Sequence, residues 1–161
     1  DEWAADPAAA PQLVDASLQA YGQLDAIVNN AAWVVRSELK NTDAAMFDKV
    51  MAINVRAPML LVQAAYPHLK KTRGCVLNIG SINAYTGEGN LLAYSVSKGA
   101  LMTLSPTTLA RNLSTTSVMA SMPPKRSYRV GVSVSSASLQ ASRHEQARRP
   151  TSRERVSLFM F

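Results

Sequence analysis

Residues 74–104 read GCVLNIGSINAYTGEGNLLAYSVSKGALMTL, and three textures succeed one another along them. Cys75 to Ile79 is a short apolar run closed by the small polar pair Gly80 and Ser81, the look of a strand buried in a parallel sheet. The glycine-bearing stretch INAYTGEGN then turns the chain. LLAYSVSKGALMTL follows as an apolar, helix-like run that places Tyr94 and Lys98 four residues apart, hence on one helix face. Taken alone, that spacing fits an inward-packed tyrosine beside a solvated lysine better than a chemical pair.

Upstream the same order recurs. DPAAAPQLVDASLQAYG (6–22) reads as a helix with an Asp-Pro start and a glycine stop. LDAIVNNA (24–31) is a second short apolar run ending in small polar residues. TDAAMFDKVMAINVRAPMLLVQAAYPHLKK (42–71) reads as one long helix, capped by Thr42 or Asp43 and kinked or broken at Pro58. Strands alternating with helices predict an α/β fold built on a parallel sheet covered on both faces.

A chain of 161 residues bounds the answer to one domain with a real core. Apolar residues make up 47% and charged residues 17%, which reads as globular, with the cytoplasm as the expected location. No membrane association is expected: the most apolar long window, VMAINVRAPMLLVQAAY, carries Arg56 and Pro58 in its middle. Cys75 is the single cysteine, so no internal disulfide forms, and no cysteine–histidine cluster suggests a metal. The first residue is Asp1 rather than methionine, and the chain is read as an incomplete product. All of the +6 net charge lies after residue 113, where eight Lys or Arg face only Glu145 and Glu154. That Ser/Arg-rich part, 114–161, is expected to be a disordered basic tail with a short strand near 128–134, where YRVGVSV alternates with period two. Its Tyr128, Phe159 and Phe161 are not interleaved with arginines, which argues against nucleic acid as a partner.

Four motifs in order, IVNNAA, INVRAP, LNIGSINA and YSVSK, resemble those of the short-chain dehydrogenase/reductase family. The resemblance spans roughly residues 6–113. It implies a partial Rossmann-like core over 1–113, a doubly wound parallel sheet lacking the family's first three strands. It also implies an oxidoreductase that moves a hydride between NAD or NADP and a small alcohol or carbonyl substrate. By residue-by-residue carry-over, Tyr94 is the general acid/base, Ser81 orients the carbonyl, Lys98 binds the nicotinamide ribose, and Asn54 holds a water that relays protons. Asn29 seats the adenosine side of the cofactor, with Ala31 passing close to the ribose. Relatives associate through the long helix and the Tyr94/Lys98 helix, which implies a homo-oligomer.

The residue types suit that chemistry. A free phenol titrates at about 10, too high for a base at neutral pH, and an adjacent ammonium favours the phenolate. A strand-end hydroxyl can donate to a substrate oxygen at the carboxyl edge of a parallel sheet. Read without the resemblance, Asn54 equally satisfies backbone groups at an irregularity caused by Pro58, Ser81 is a turn residue, and Asn29 and Asn30 brace loops. His68 reads as a helix C-terminal cation or cap, Cys75 as inert core, and Trp33 either lines a cleft or covers the core.

The family's Gly-rich Thr-Gly-x-x-x-Gly-x-Gly turn is absent from residues 1–161, Ala32 replaces a glycine after the asparagines, and no Pro-Gly follows the Tyr94 helix. These departures keep a second expectation open: a catalytically silent fragment that only pairs with a partner chain.

Overall fold

The computed structural model describes residues 2–107, 114–121, 129–133 and 158–160, the last three ranges and 2–3 and 105–107 as backbone. A short helix α1 (Glu2–Ala5) precedes α2 (Ala9–Tyr21). The Asp-Pro signal works one turn ahead of the helix: Asp6 Oδ1 accepts from Ala8 N at 2.9 Å, and the cap residue Ala8 makes no side-chain bond of its own. Gly22, at φ +77°, closes α2 by donating its N–H to Leu18 O at 2.8 Å. Strand β1 (Ala26–Asn29) follows, all four residues buried.

The long 42–71 segment is not one helix. Asp43, rather than Thr42, caps α3 (Ala44–Met51) by accepting from Met46 N at 2.8 Å. A π-helical turn over Ala52–Arg56 then leads into α4 (Ala57–Thr72). Pro58 is the cause: it lacks the N–H that an α-helix would offer to the carbonyl of Asn54. The chain answers by widening, with Ala57 N–H reaching back to Ala52 O.

At the end of α4, Arg73 turns left-handed at φ 55° and Gly74 brings the chain hard against the α2–β1 linker. A β-carbon on Gly74 would lie 2.5 Å from Asp25 O and 2.8 Å from Leu69 Cδ2. Strand β2 (Cys75–Ser81) therefore starts in register beside β1, with Ala26 opposite Cys75 and Asn29 opposite Asn78, in parallel. After it come α5 (Asn83–Thr86) and α6 (Leu92–Thr107).

The sheet has the order β4-β3-β2-β1-β5. Strand β3 (Ser114–Ser121) pairs with β2 in parallel, and β4 (Arg129–Ser133) pairs antiparallel with β3. The short β5 (Leu158–Met160) lies parallel to β1. The sheet thus continues past residue 113, where low order was expected. Thr115, Thr116 and Val118 are β-branched, and the backbone edge of β2 supplies the partner that the Ser/Thr-rich composition does not advertise. The β4 span falls inside the 128–134 window; residues 108–113, 122–128 and 134–157, with the rest of the expected tail, lie outside the described residues.

One face of the sheet carries the core. Ile27 and Val76 meet Ala10 and Val14 of α2 and Leu61, Val62, Ala65 and Leu69 of α4. On the opposite face Cys75 is exposed and Leu77 and Ile79 are half-buried, so Cys75 is not the core residue expected. Partial burial, then the nearby Asp25, push its thiol pKa up. No helix among the described residues is long and apolar enough to cross a membrane.

Candidate active site

The carboxyl ends of β1 and β2 and the amino end of α6 converge. Ser81, the last residue of β2, is 1% exposed. Its Oγ accepts from Asn83 N at 3.2 Å as the chain turns into α5, leaving its own proton to aim elsewhere. The Tyr94 phenol lies near enough to that hydroxyl for Ser81 to favour its ionised form. Lys98, one turn further along α6, is also buried, and its Nζ donates to Ile79 O of β2 at 2.6 Å while lying 5.7 Å from the Tyr94 ring centroid. No carboxylate pairs with this ammonium among the described residues.

Burial sets the electrostatics. It pulls the Lys98 amine down to about 8, because the charged form loses water and gains only one carbonyl. It pushes the Tyr94 phenol above its ordinary value, and the Ser81 hydrogen bond pulls part of the way back by favouring the phenolate. Lys98 Nζ is directed to a strand carbonyl and lies over the Tyr94 ring.

Asn54 sits in the π turn, 1% exposed, with both ends of its amide engaged. Oδ1 accepts from Trp33 N at 2.7 Å, and Nδ2 donates to Trp33 O at 3.1 Å and to Ser97 Oγ at 3.0 Å. The side chain thus pairs with a peptide unit just beyond β1 and ties it to α6. Pro58, four residues on, has no N–H to offer the main-chain carbonyl of Asn54.

Asn29 and Ala31 lie at the end of β1 and just past it. Asn29 Nδ2 donates to Asn78 Oδ1 at 2.7 Å across the β1–β2 register, a buried rung rather than the loop brace its sequence also suggested. Both residues line a small slot of about 50 Å³ with Ala10, Leu13, Ile53 and Leu61. Trp33 is half-buried beside the cluster, with Lys49 Nζ 4.7 Å above its ring. Two contributors escaped the sequence reading: Asn78, partner of Asn29, and Ser97, partner of Asn54. Ser97 stands directly before Lys98 in YSVSK, but a serine inside a helix carries no signal until its neighbours are known.

Comparison with known proteins gives four matches. A family model described as short chain dehydrogenase matches residues 4–125. An uncharacterized oxidoreductase of Thermotoga maritima is 40% identical over 96 residues, which cover 59% of this chain and 38% of that protein. Among solved structures, the NADH-dependent reductase A1-R′ responsible for alginate metabolism superposes with a TM-score of 0.71 at 27% identity, covering 76% of this chain and 55% of that one. A metagenomic short-chain oxidoreductase in complex with NADP gives 0.66 at 26% identity over 71% of this chain and 55% of that one. The matched region is thus about two fifths of the curated relative and about half of each solved chain.

Proposed function

The chain belongs to the short-chain dehydrogenase family, and from that premise we propose that it interconverts an alcohol and a carbonyl with NAD or NADP. The observation that carries the reading is the shared burial of Ser81, Tyr94 and Lys98, with Lys98 Nζ donating at 2.6 Å to Ile79 O, two residues before Ser81 on the same strand. A substrate oxygen placed between Ser81 Oγ and Tyr94 Oη meets two O–H donors. In reduction, Tyr94 Oη gives its proton to the forming alkoxide while Ser81 holds that oxygen. In oxidation Tyr94 takes the proton back. A positioned acid of this kind contributes about 10²- to 10⁴-fold.

The residues present fit the two ends of a dinucleotide. Lys98 carries three N–H donors and Ile79 O takes one, so a ribose diol against Nζ finds the others. We read Ala31, small and exposed just past β1, as leaving room for a second ribose beside Asn29. When bound, the nicotinamide would give or accept the hydride. We read the Asn54 main-chain carbonyl, whose α-helical donor Pro58 removes, as the acceptor of a water that passes protons towards Lys98. Two chains are proposed to associate through α4 and α6, where Met59 and Val96 are 42% and 44% exposed.

Titration with NADH and with NADPH, followed by nicotinamide fluorescence, tests the reading. Saturable binding in the micromolar range that Lys98→Met weakens supports it. No binding of either, or binding indifferent to Lys98, overturns it.

A further inference from the structure

We propose that Ser97 is a positioning residue whose buried hydroxyl couples the Tyr94–Lys98 turn of α6, through Asn54, to the backbone of Trp33 beyond β1. That this coupling serves proton transfer rests on the oxidoreductase reading above; the coupling itself does not.

Ser97 is completely buried, where a hydroxyl is unfavourable unless bonded at both ends and where alanine would be the better helix former. Both ends are in fact used. Oγ donates its single proton to Tyr94 O at 2.7 Å and accepts from Asn54 Nδ2 at 3.0 Å. Tyr94 O is also the carbonyl that, in an α-helix, takes the backbone N–H of Lys98. The hydroxyl therefore grips the turn that sets the spacing of the two side chains. A donor-only or acceptor-only group could not do both.

The Asn54 amide has no second orientation available. Turned over, it would set Nδ2 against Trp33 N–H and Oδ1 against Trp33 O, two repulsive contacts in place of bonds of 2.7 and 3.1 Å. With Nδ2 so fixed, its remaining hydrogen needs an acceptor, and Ser97 Oγ is the one within reach. Removing that acceptor leaves a buried N–H unpaired. The relief open to it is entry of water beside the turn or rotation of the amide off Trp33. Either change loosens the Trp33 peptide and the turn of α6 that the hydroxyl grips, the turn from which Lys98 Nζ is held against Ile79 O and away from water.

The test uses the full cofactor-free chain with Ser97→Ala and Ser97→Thr, the second keeping a hydroxyl that can bond back within its own helix. Two quantities are read by NMR: hydrogen exchange at Trp33 N–H relative to Val28 N–H, and the titration of the Lys98 side chain, assigned by its loss in Lys98→Met. Ser97→Ala should speed Trp33 exchange about tenfold over any change at Val28. At pH 9 it should lower the neutral fraction of Lys98 from about nine in ten to under half. Ser97→Thr should restore both. The proposal fails if Ser97→Ala leaves either quantity at the wild-type value, or if exchange rises equally at Trp33 and Val28. Should Ser97→Ala not fold, Ser97→Cys, similar in size but a weak donor and acceptor, is read by the same criteria. Neither readout needs a dinucleotide, so failure to bind NADH would sink the proposed function and leave this result standing.

Discussion

Replacing Lys98 with methionine should change how stability depends on pH. The amine is 2% exposed and titrates at about 8 in the folded chain, against 10.5 for an ordinary lysine. Between those values the unfolded chain holds the proton and the folded chain does not, so stability rises with pH across that window. Below about pH 8 both states are protonated, and the buried ammonium's penalty is fully present. From pH 7 to pH 9.5 the wild type should therefore gain about 2 kcal/mol relative to Lys98→Met, out of about 3 kcal/mol for the whole window. Methionine also removes the donor to Ile79 O. That loss is independent of pH and cancels in the comparison. Urea unfolding of both proteins at the two pH values, followed by far-UV circular dichroism, gives the difference directly. Parallel pH profiles would refute the reasoning, because they would mean that the amine stays hydrated and charged in the folded chain.

Three other outcomes follow from the same contacts. Ser81→Ala removes the one contact that lowers the Tyr94 phenol, so ultraviolet difference titration, with Tyr94→Phe as blank, should show Tyr94 ionising at still higher pH. Asn54→Ala strands both the N–H and the C=O of Trp33 and should destabilise the fold by about 3 kcal/mol in urea unfolding. Gly74→Ala forces a β-carbon to within 2.5 Å of Asp25 O and should lose about 1–3 kcal/mol, read as a lower thermal midpoint.

The parallel sheet was legible because IVNNAA and LNIGSINA each end an apolar run in small polar residues, a texture that strand ends in such sheets share. Pro58 announced a break, since a missing N–H must go unanswered somewhere. It did not announce a π turn, because kinking and widening both satisfy that loss and only packing chooses between them. Strand β3 was opaque for a different reason. STTSVMAS carries little apolar alternation, and its pairing depends on the exposed edge of β2, a long-range fact. At the site, the motifs pointed to Ser81, Tyr94 and Lys98, and the chain brings these three together. Spacing could not reveal the direction of the Tyr94 shift, which follows from how deeply the phenol is buried. Ser97 was invisible for the same reason: its role exists only once α6 lies against Asn54.

Deuteride transfer from NADH or NADPH, labelled on the hydride-donating carbon, to a panel of ketones and aldehydes reaches the proposed chemistry itself. Wild type should place deuterium on the carbinol carbon of at least one product. Tyr94→Phe should bind the dinucleotide within about threefold of wild type yet transfer at least about 100-fold more slowly. Equal transfer by Tyr94→Phe, or none by a wild-type chain saturated with dinucleotide, would contradict the assignment of Tyr94 as the proton donor.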